Sequence, residues 1–147
     1  MTNLTFNNQS FFESLEDLIA QGKSVQFRLK GRSMQPFIPD GCKITVAPTR
    51  FEDMNIGDVV LARWRNGWIL HRVLFKRKDH FFLIGDGNLA QIEKVKKDDL
   101  VAILLSHEGK DGKRYKVTTR SKFLSAGWFL IRPVRRLIHK VKKTLFK

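Results

Sequence analysis

Between residues 24 and 119 the apolar residues fall in short runs, several alternating at every second position and several continuous, and turn chemistry interrupts them at short intervals. This constrains the fold more than any other feature of the chain. Val25, Phe27 and Leu29 alternate with Gln26, Arg28 and Lys30, as in a half-buried strand, and Ile44 and Val46 suggest a second short one. Gly57-Asp58 opens a strong strand over 59–64. Arg65-Asn66-Gly67-Trp68 then holds an Asn-Gly turn, favoured chemistry for a tight hairpin. The returning strand runs from Trp68 to about Phe75 and sets Ile69, His71, Val73 and Phe75 on one face. Lys78-Asp79 leads into a strand over 80–84, and Gly85-Asp86-Gly87-Asn88 is again a turn. Strands near 99–106 and 114–119, joined through a turn at 109–112, close the series. The fold class that follows is mainly β, a sheet curled into a half-barrel.

The flanks have a different period. Ser10-Phe11-Phe12-Glu13 reads as a capping box, and Phe11, Phe12, Leu15, Leu18 and Ile19 keep helical spacing up to a stop at Gly22. Beyond Pro133, Val134, Leu137, Ile138, Val141 and Leu145 fall on one helical face. The chain thus divides into an N-terminal amphipathic helix (1–22), a β domain (23–121) and a basic helical tail (122–147). The net charge is +14, and the last 25 residues hold seven Lys or Arg and no acid: Arg132, Arg135, Arg136, Lys140, Lys142, Lys143 and Lys147. Such a tail seeks anionic partners. Its pattern suits a helix packed on the β domain, or one lying at an anionic membrane surface; nucleic acid is the weaker alternative.

Other function classes are bounded more simply. No stretch reaches the roughly 18 apolar residues of a membrane span, and residues 1–9 do not read as a signal peptide, so the expected location is the cytoplasm with possible membrane association. Cys42 is the single cysteine; it reads as a small buried residue, and the spacing of Cys and His suggests no metal site.

Two residues carry potential chemistry. Ser33 follows a strand directly, in a loop flanked by Gly31 and Pro36. A serine hydroxyl is a weak nucleophile until a neighbour removes its proton, and flanking glycine lets backbone approach a substrate. His71 sits mid-strand on an apolar face, and histidine is the side-chain type best suited to proton transfer near neutral pH. Each also has an ordinary reading, as a turn serine and as a satisfied core histidine. His80, His107 and His139 read as solvated residues in turns and in the tail.

The run Gly31-Arg32-Ser33-Met34-Gln35-Pro36 resembles the G-x-S-M-x-P box of the serine peptidase superfamily (S24/S26) that groups signal peptidase I with the LexA-type self-cleaving proteins. Gly57-Asp58-Val59-Val60 resembles the start of that superfamily's second block. His71-Arg72-Val73 and Gly85-Asp86-Gly87-Asn88 resemble the H-R-V and G-D-x-N boxes of the archaeal and endoplasmic-reticulum signal peptidases. The order and spacing are compatible throughout. The resemblance implies a LexA/signal-peptidase-like curled sheet and a serine endopeptidase acting on a protein or peptide without a cofactor. Ser33 would be the nucleophile and His71 its base, with Asp86 orienting His71 or bracing the site. Ser33, Gly31 and Met34 would line the oxyanion and substrate site.

The chain also departs from that pattern. Gly31 stands where many signal peptidases have serine, Arg32 is bulky beside the nucleophile, and the typical N-terminal span is missing. Two further readings stay open. One is a LexA-type self-cleaving regulator, whose only Ala-Gly pair here is Ala126-Gly127. The other is a non-catalytic binding module that keeps the fold.

Overall fold

The structure is a computed structural model that describes residues 8–88 and 90–145. The first residues of the polar N-terminal stretch and the last tail lysine, Lys147, lie outside it. Among the described residues the order is α1 (Asn8–Ala20), β1 (Val25–Arg28), β2 (Lys43–Ala47), β3 (Val59–Trp64), β4 (Gly67–Lys76), β5 (His80–Ile84), β6 (Glu93–Lys96), β7 (Leu100–Glu108), β8 (Arg114–Lys116), α2 (Thr119–Leu130) and α3 (Arg132–Leu145). A short 3-10 turn, Lys97–Asp99, precedes β7.

The eight strands form one antiparallel sheet in the order β1-β2-β7-β3-β4-β5-β6, with β8 also paired to β7. This is the expected mainly β, curled architecture. β3 explains the curl: Val59 and Leu61 enter one core while Val60 and Ala62 enter another, so the strand is buried on both faces. The first core holds Leu15 and Ile19 of α1 with Met34, Ile38, Ile44 and Val46. The second gathers Phe51, Met54, Val73, Phe81, Leu83 and Val95. Cys42 is buried, as its place before β2 suggests, and burial raises its thiol pKa above the ordinary value.

Several elements differ from the sequence reading. Ser10 lies inside α1 rather than at its cap, because Asn8 and Gln9 both accept helical backbone and Gln9 donates to Glu13 one turn on. The stop is as expected. Gly22 has φ +80°, and Gly22 N–H and Lys23 N–H close onto the carbonyls of Ile19 and Leu18 in a Schellman motif. In the β3–β4 hairpin Trp64 pairs with Gly67, which makes Arg65-Asn66 the central turn pair, with Arg65 at φ +52°. A bulge in β4 sets Phe75 opposite Phe82, two residues after Val73 pairs with Leu83. The extra residue turns Phe75 off the His71 face and leaves it exposed.

The tail differs most. Strand β8 stops at Lys116, and α2 starts at Thr119 where strand was expected. No described helix is long and apolar enough to cross a membrane.

Candidate active site

Four segments converge where β3 begins and β5 ends, in the interior of the sheet: the 29–42 loop, the start of β3, the middle of β4 and the turn after β5. Leu29 N–H bonds to the Cys42 carbonyl and Gly41 N–H to the Leu29 carbonyl, which closes the Ser33 loop at its base. Met34 and Ile38 then pin it to the core, Met34 at 1% exposure. The Met34 side chain is therefore an anchor buried under the loop, not a substrate contact. Gly31 adopts φ +124°, a region favourable only to glycine, and its N–H donates to Asp40 Oδ1 at 2.8 Å. That N–H is thereby committed inside the loop and is unavailable to an oxyanion. Ser33 is half-buried.

The turn after β5 docks on this loop through its glycines. Gly87 N–H donates to the Ser33 carbonyl at 2.8 Å. At Gly85 a Cβ would stand 2.7 Å from the Ser33 carbonyl oxygen, 3.0 Å from Asn88 Nδ2 and 3.1 Å from His71 Nε2. One methyl-sized space is thus bounded by the backbone of Ser33 and by the imidazole of His71. Only glycine permits this approach, since a methyl would collide with a rigid carbonyl. A Cβ at Gly87 would meet the carbonyls of Arg32, Gln35 and Ser33 at 3.1–3.3 Å.

His71 is buried, and its Nδ1 lies 3.0 Å from Glu93 Oε2. A carboxylate only accepts, so Nδ1–H is the donor of this contact, and Nε2 is the nitrogen on the Gly85 side, 3.1 Å from where a Cβ there would stand. Glu93 is 1% exposed and shares the inward face of β6 with Val95. Sequence reasoning missed it, although an acid in phase with Val95 on a short strand was a readable signal.

Asp86 has a different partner. Its two oxygens accept from Arg72 Nε and Nη2, both at 2.7 Å, in a buried bidentate pair, and Arg72 Nη1 donates to the Gly57 carbonyl at 2.8 Å. Asp86 thus pairs with Arg72 rather than with His71, whose carboxylate contact among the described residues is Glu93. The Gly57-Asp58 segment locks to β4 as well, since Gly57 N–H donates to the Val73 carbonyl and Val73 N–H to the Asp58 carbonyl. Three of the four sequence boxes are therefore joined by one Arg72-centred network.

Helix α2 covers the outer side of this network. Lys122 Nζ pairs with the buried Asp58, and Trp128 Nε1 donates to the Asp86 carbonyl at 2.8 Å. Ala126 and Gly127 lie in the middle of α2. His80 pairs with Asp79 at a strand edge, and His107 is half-buried against Tyr115, where burial lowers its pKa. Neither approaches Ser33 within the described contacts. No described cluster of His, Cys, Asp and Glu is grouped to hold a metal ion.

Comparison with curated proteins gives no match. The family model described as Peptidase S24-like matches residues 3–110, a span that includes α1, seven of the eight strands, Ser33, His71 and Glu93. With most of its length so matched, on a curled sheet carrying this constellation, the chain belongs to the Peptidase S24-like family of serine peptidases and LexA-like proteins of the same fold.

Proposed function

We propose that the chain is a serine endopeptidase of signal-peptidase-like, histidine-dependent type, acting on a protein or peptide. Ser33 is the nucleophile, His71 the general base and Glu93 the residue that positions it. The observation that supports this reading is the Nδ1–Glu93 contact at 3.0 Å, which engages one imidazole nitrogen and leaves the other as the candidate base, on the same side of Gly85 as the Ser33 backbone.

In this reading His71 Nε2 takes the Ser33 hydroxyl proton as Oγ attacks the scissile carbonyl. The imidazolium that forms is stabilised by the buried Glu93 carboxylate. The Ser33 N–H supplies a donor to the oxyanion, while the Gly31 amide stays with Asp40. His71 then returns the proton to the leaving amine, and water hydrolyses the acyl-enzyme by the same relay. A neutral histidine base can accept a proton without first losing one, as the lysine used by most bacterial relatives must. Asp86, held by Arg72, keeps the Gly85–Asn88 turn against the Ser33 loop.

Self-cleavage at Ala126–Gly127 fits less well. A scissile segment must be extended to enter a protease cleft, and this bond lies inside α2, which would have to unwind. The test is digestion of a mixed peptide library, read by mass spectrometry, with wild type, Ser33→Ala and His71→Ala. Cleavage by wild type alone supports the dyad; equal cleavage by all three removes it.

A further inference from the structure

The α2–α3 segment carries two features that the peptidase reading does not use. The first is a cavity of about 230 Å³ between α2 and the outer side of the Asp86 turn, with a mostly apolar wall that includes Ile56, Val73, Ile84 and Phe129. Four cationic side chains line it, and three of them are satisfied. Arg72 is held by Asp86 and Lys122 by Asp58. Arg135 donates to the Asp86 carbonyl and stacks on Trp128 with its guanidinium carbon 4.0 Å from the ring centre.

Arg132 is the exception. It is only 6% exposed, and its Nε and Nη2 are buried with no hydrogen-bond partner among the described residues. Two of its charged neighbours, Arg135 and Arg136, are cations, and one, Glu93, is an acid. Burial first, then Arg136 and Arg135, lower its pKa, and Glu93 only partly opposes them. The Phe129 ring centre lies 5.6 Å from its guanidinium carbon, but neither the ring nor Glu93 accepts a hydrogen bond from Nε or Nη2. A buried guanidinium without such acceptors is costly, so its place suits an anion from outside the chain.

The second feature is the apolar face of α3. Val134, Leu137, Ile138 and Val141 form its stripe and are 47–63% exposed, so they do not pack on the β domain. Leu130 joins the two features, because it lines the cavity and is itself 76% exposed. The rest of α3 is basic, and no acid follows Asp111 in the chain. An anionic bilayer surface offers both missing partners together: a headgroup phosphate for Arg132 and an apolar layer for the stripe. Nucleic acid would answer the charge and leave the stripe in water.

We propose that α2–α3 is an anionic-lipid docking surface, in which Arg132 binds a lipid phosphate and the Val134–Leu137–Ile138–Val141 stripe enters the interfacial layer. In this proposal the headgroup reaches Arg132 through the cavity that the exposed Leu130 also lines. Because Trp128 and Arg135 both reach the Asp86 carbonyl, docking holds the Ser33 loop and its turn close to the membrane.

The test is flotation of the full chain with phosphatidylcholine vesicles, with and without phosphatidylglycerol. Wild type is expected to float with the anionic vesicles only. Leu137→Glu/Ile138→Glu, two exposed positions whose change leaves the circular dichroism spectrum intact, is expected to lose at least about tenfold in binding. Arg132→Gln is expected to lose about fivefold. Ser33→Ala is expected to float like wild type, so this outcome is independent of whether the chain is a peptidase. Four results would each overturn the proposal: equal binding to neutral vesicles, full binding by the stripe variant, full binding by Arg132→Gln, or binding to duplex DNA that matches the anionic vesicles and ignores the stripe variant. Stabilisation by inorganic phosphate equal to that by vesicles would reassign Arg132 to a free anion and also refute the lipid.

Discussion

Replacing Glu93 by glutamine tests the catalytic reading most directly. The side chains are nearly isosteric, so the contact of 3.0 Å to His71 Nδ1 can persist while the charge is lost. On the proposed mechanism the buried carboxylate stabilises the imidazolium that forms as Ser33 attacks. A hydrogen bond to a charged group contributes about 1.5–3 kcal/mol, and each ~1.4 kcal/mol is a factor of ten in rate. The expected loss in kcat/KM is therefore roughly 10- to 150-fold, and larger if the amide drives His71 into the wrong tautomer. The measurement is cleavage of the best peptide from the library, with labelling of Ser33 by a serine-reactive fluorophosphonate as a second readout. Thermal unfolding is followed in parallel to show that the variant is folded. Glu93→Gln cleaving within twofold of wild type would refute the assignment of Glu93, since a buried charge on the base cannot be removed without consequence if the base acts as proposed.

Asp86→Asn should behave in the opposite way. It breaks a buried bidentate pair and leaves Arg72 with an uncompensated charge, so about 3–5 kcal/mol of stability should be lost in denaturant titration; wild-type stability would remove Asp86 as the brace. Gly85→Ala places a methyl 2.7 Å from the Ser33 carbonyl. Overpacking of this kind costs about 1–3 kcal/mol, and cleavage should fall at temperatures where the variant is still folded. Unchanged activity would show that the turn does not set the site. Glu16 ties α1 to the sheet through Arg63 and Trp68. Burial pushes its carboxyl pKa up, but those hydrogen bonds outweigh burial and hold it below the ordinary 4.5. A depressed carboxylate contributes fully above its unfolded value and less as pH falls through the folded one. The melting-temperature gap between wild type and Glu16→Gln should therefore be present at neutral pH and close in acid below about pH 4.5. A gap that widens in acid would reverse the sign and refute the reasoning.

The elements best written in the sequence were those whose local pattern and tertiary place agree. Val59–Trp64 and His80–Ile84 were readable because dense apolar patterning met turn residues at both ends. Gly22 was readable because a left-handed cap needs glycine. The start of α2 was not: Tyr115, Val117 and their polar neighbours continue the alternation, and what ends the strand is packing of Trp128 and Lys122 onto the Asp86 and Asp58 segments. The Phe75 flip depends on a bulge that leaves no mark in the spacing of apolar residues. In the site, Ser33 and His71 stood out by their setting and by the ordered boxes. Glu93 and Asp86 were harder because a carboxylate's partner is a fact of topology. Asp86 meets Arg72 across the β4–β5 pairing, while Glu93 reaches His71 from β6, beyond the intervening strand β5.

The place of β7 has a consequence for the life of the chain during synthesis. β1 and β2 flank the Ser33 loop, whereas β3 to β6 carry His71 and Glu93, and the sheet joins these two halves only through β7, the seventh strand made. The Gly85 and Gly87 contacts and the core shared by Met34, Ile38, Val59 and Leu61 add to that join. A ribosome that has translated Ser33, His71 and Glu93 has still not made the sheet that unites their strands until Leu100–Glu108 emerges and inserts between β2 and β3. Pairing of that long range is slow to form, so on the proposed reading the constellation is completed only after its own residues have been made.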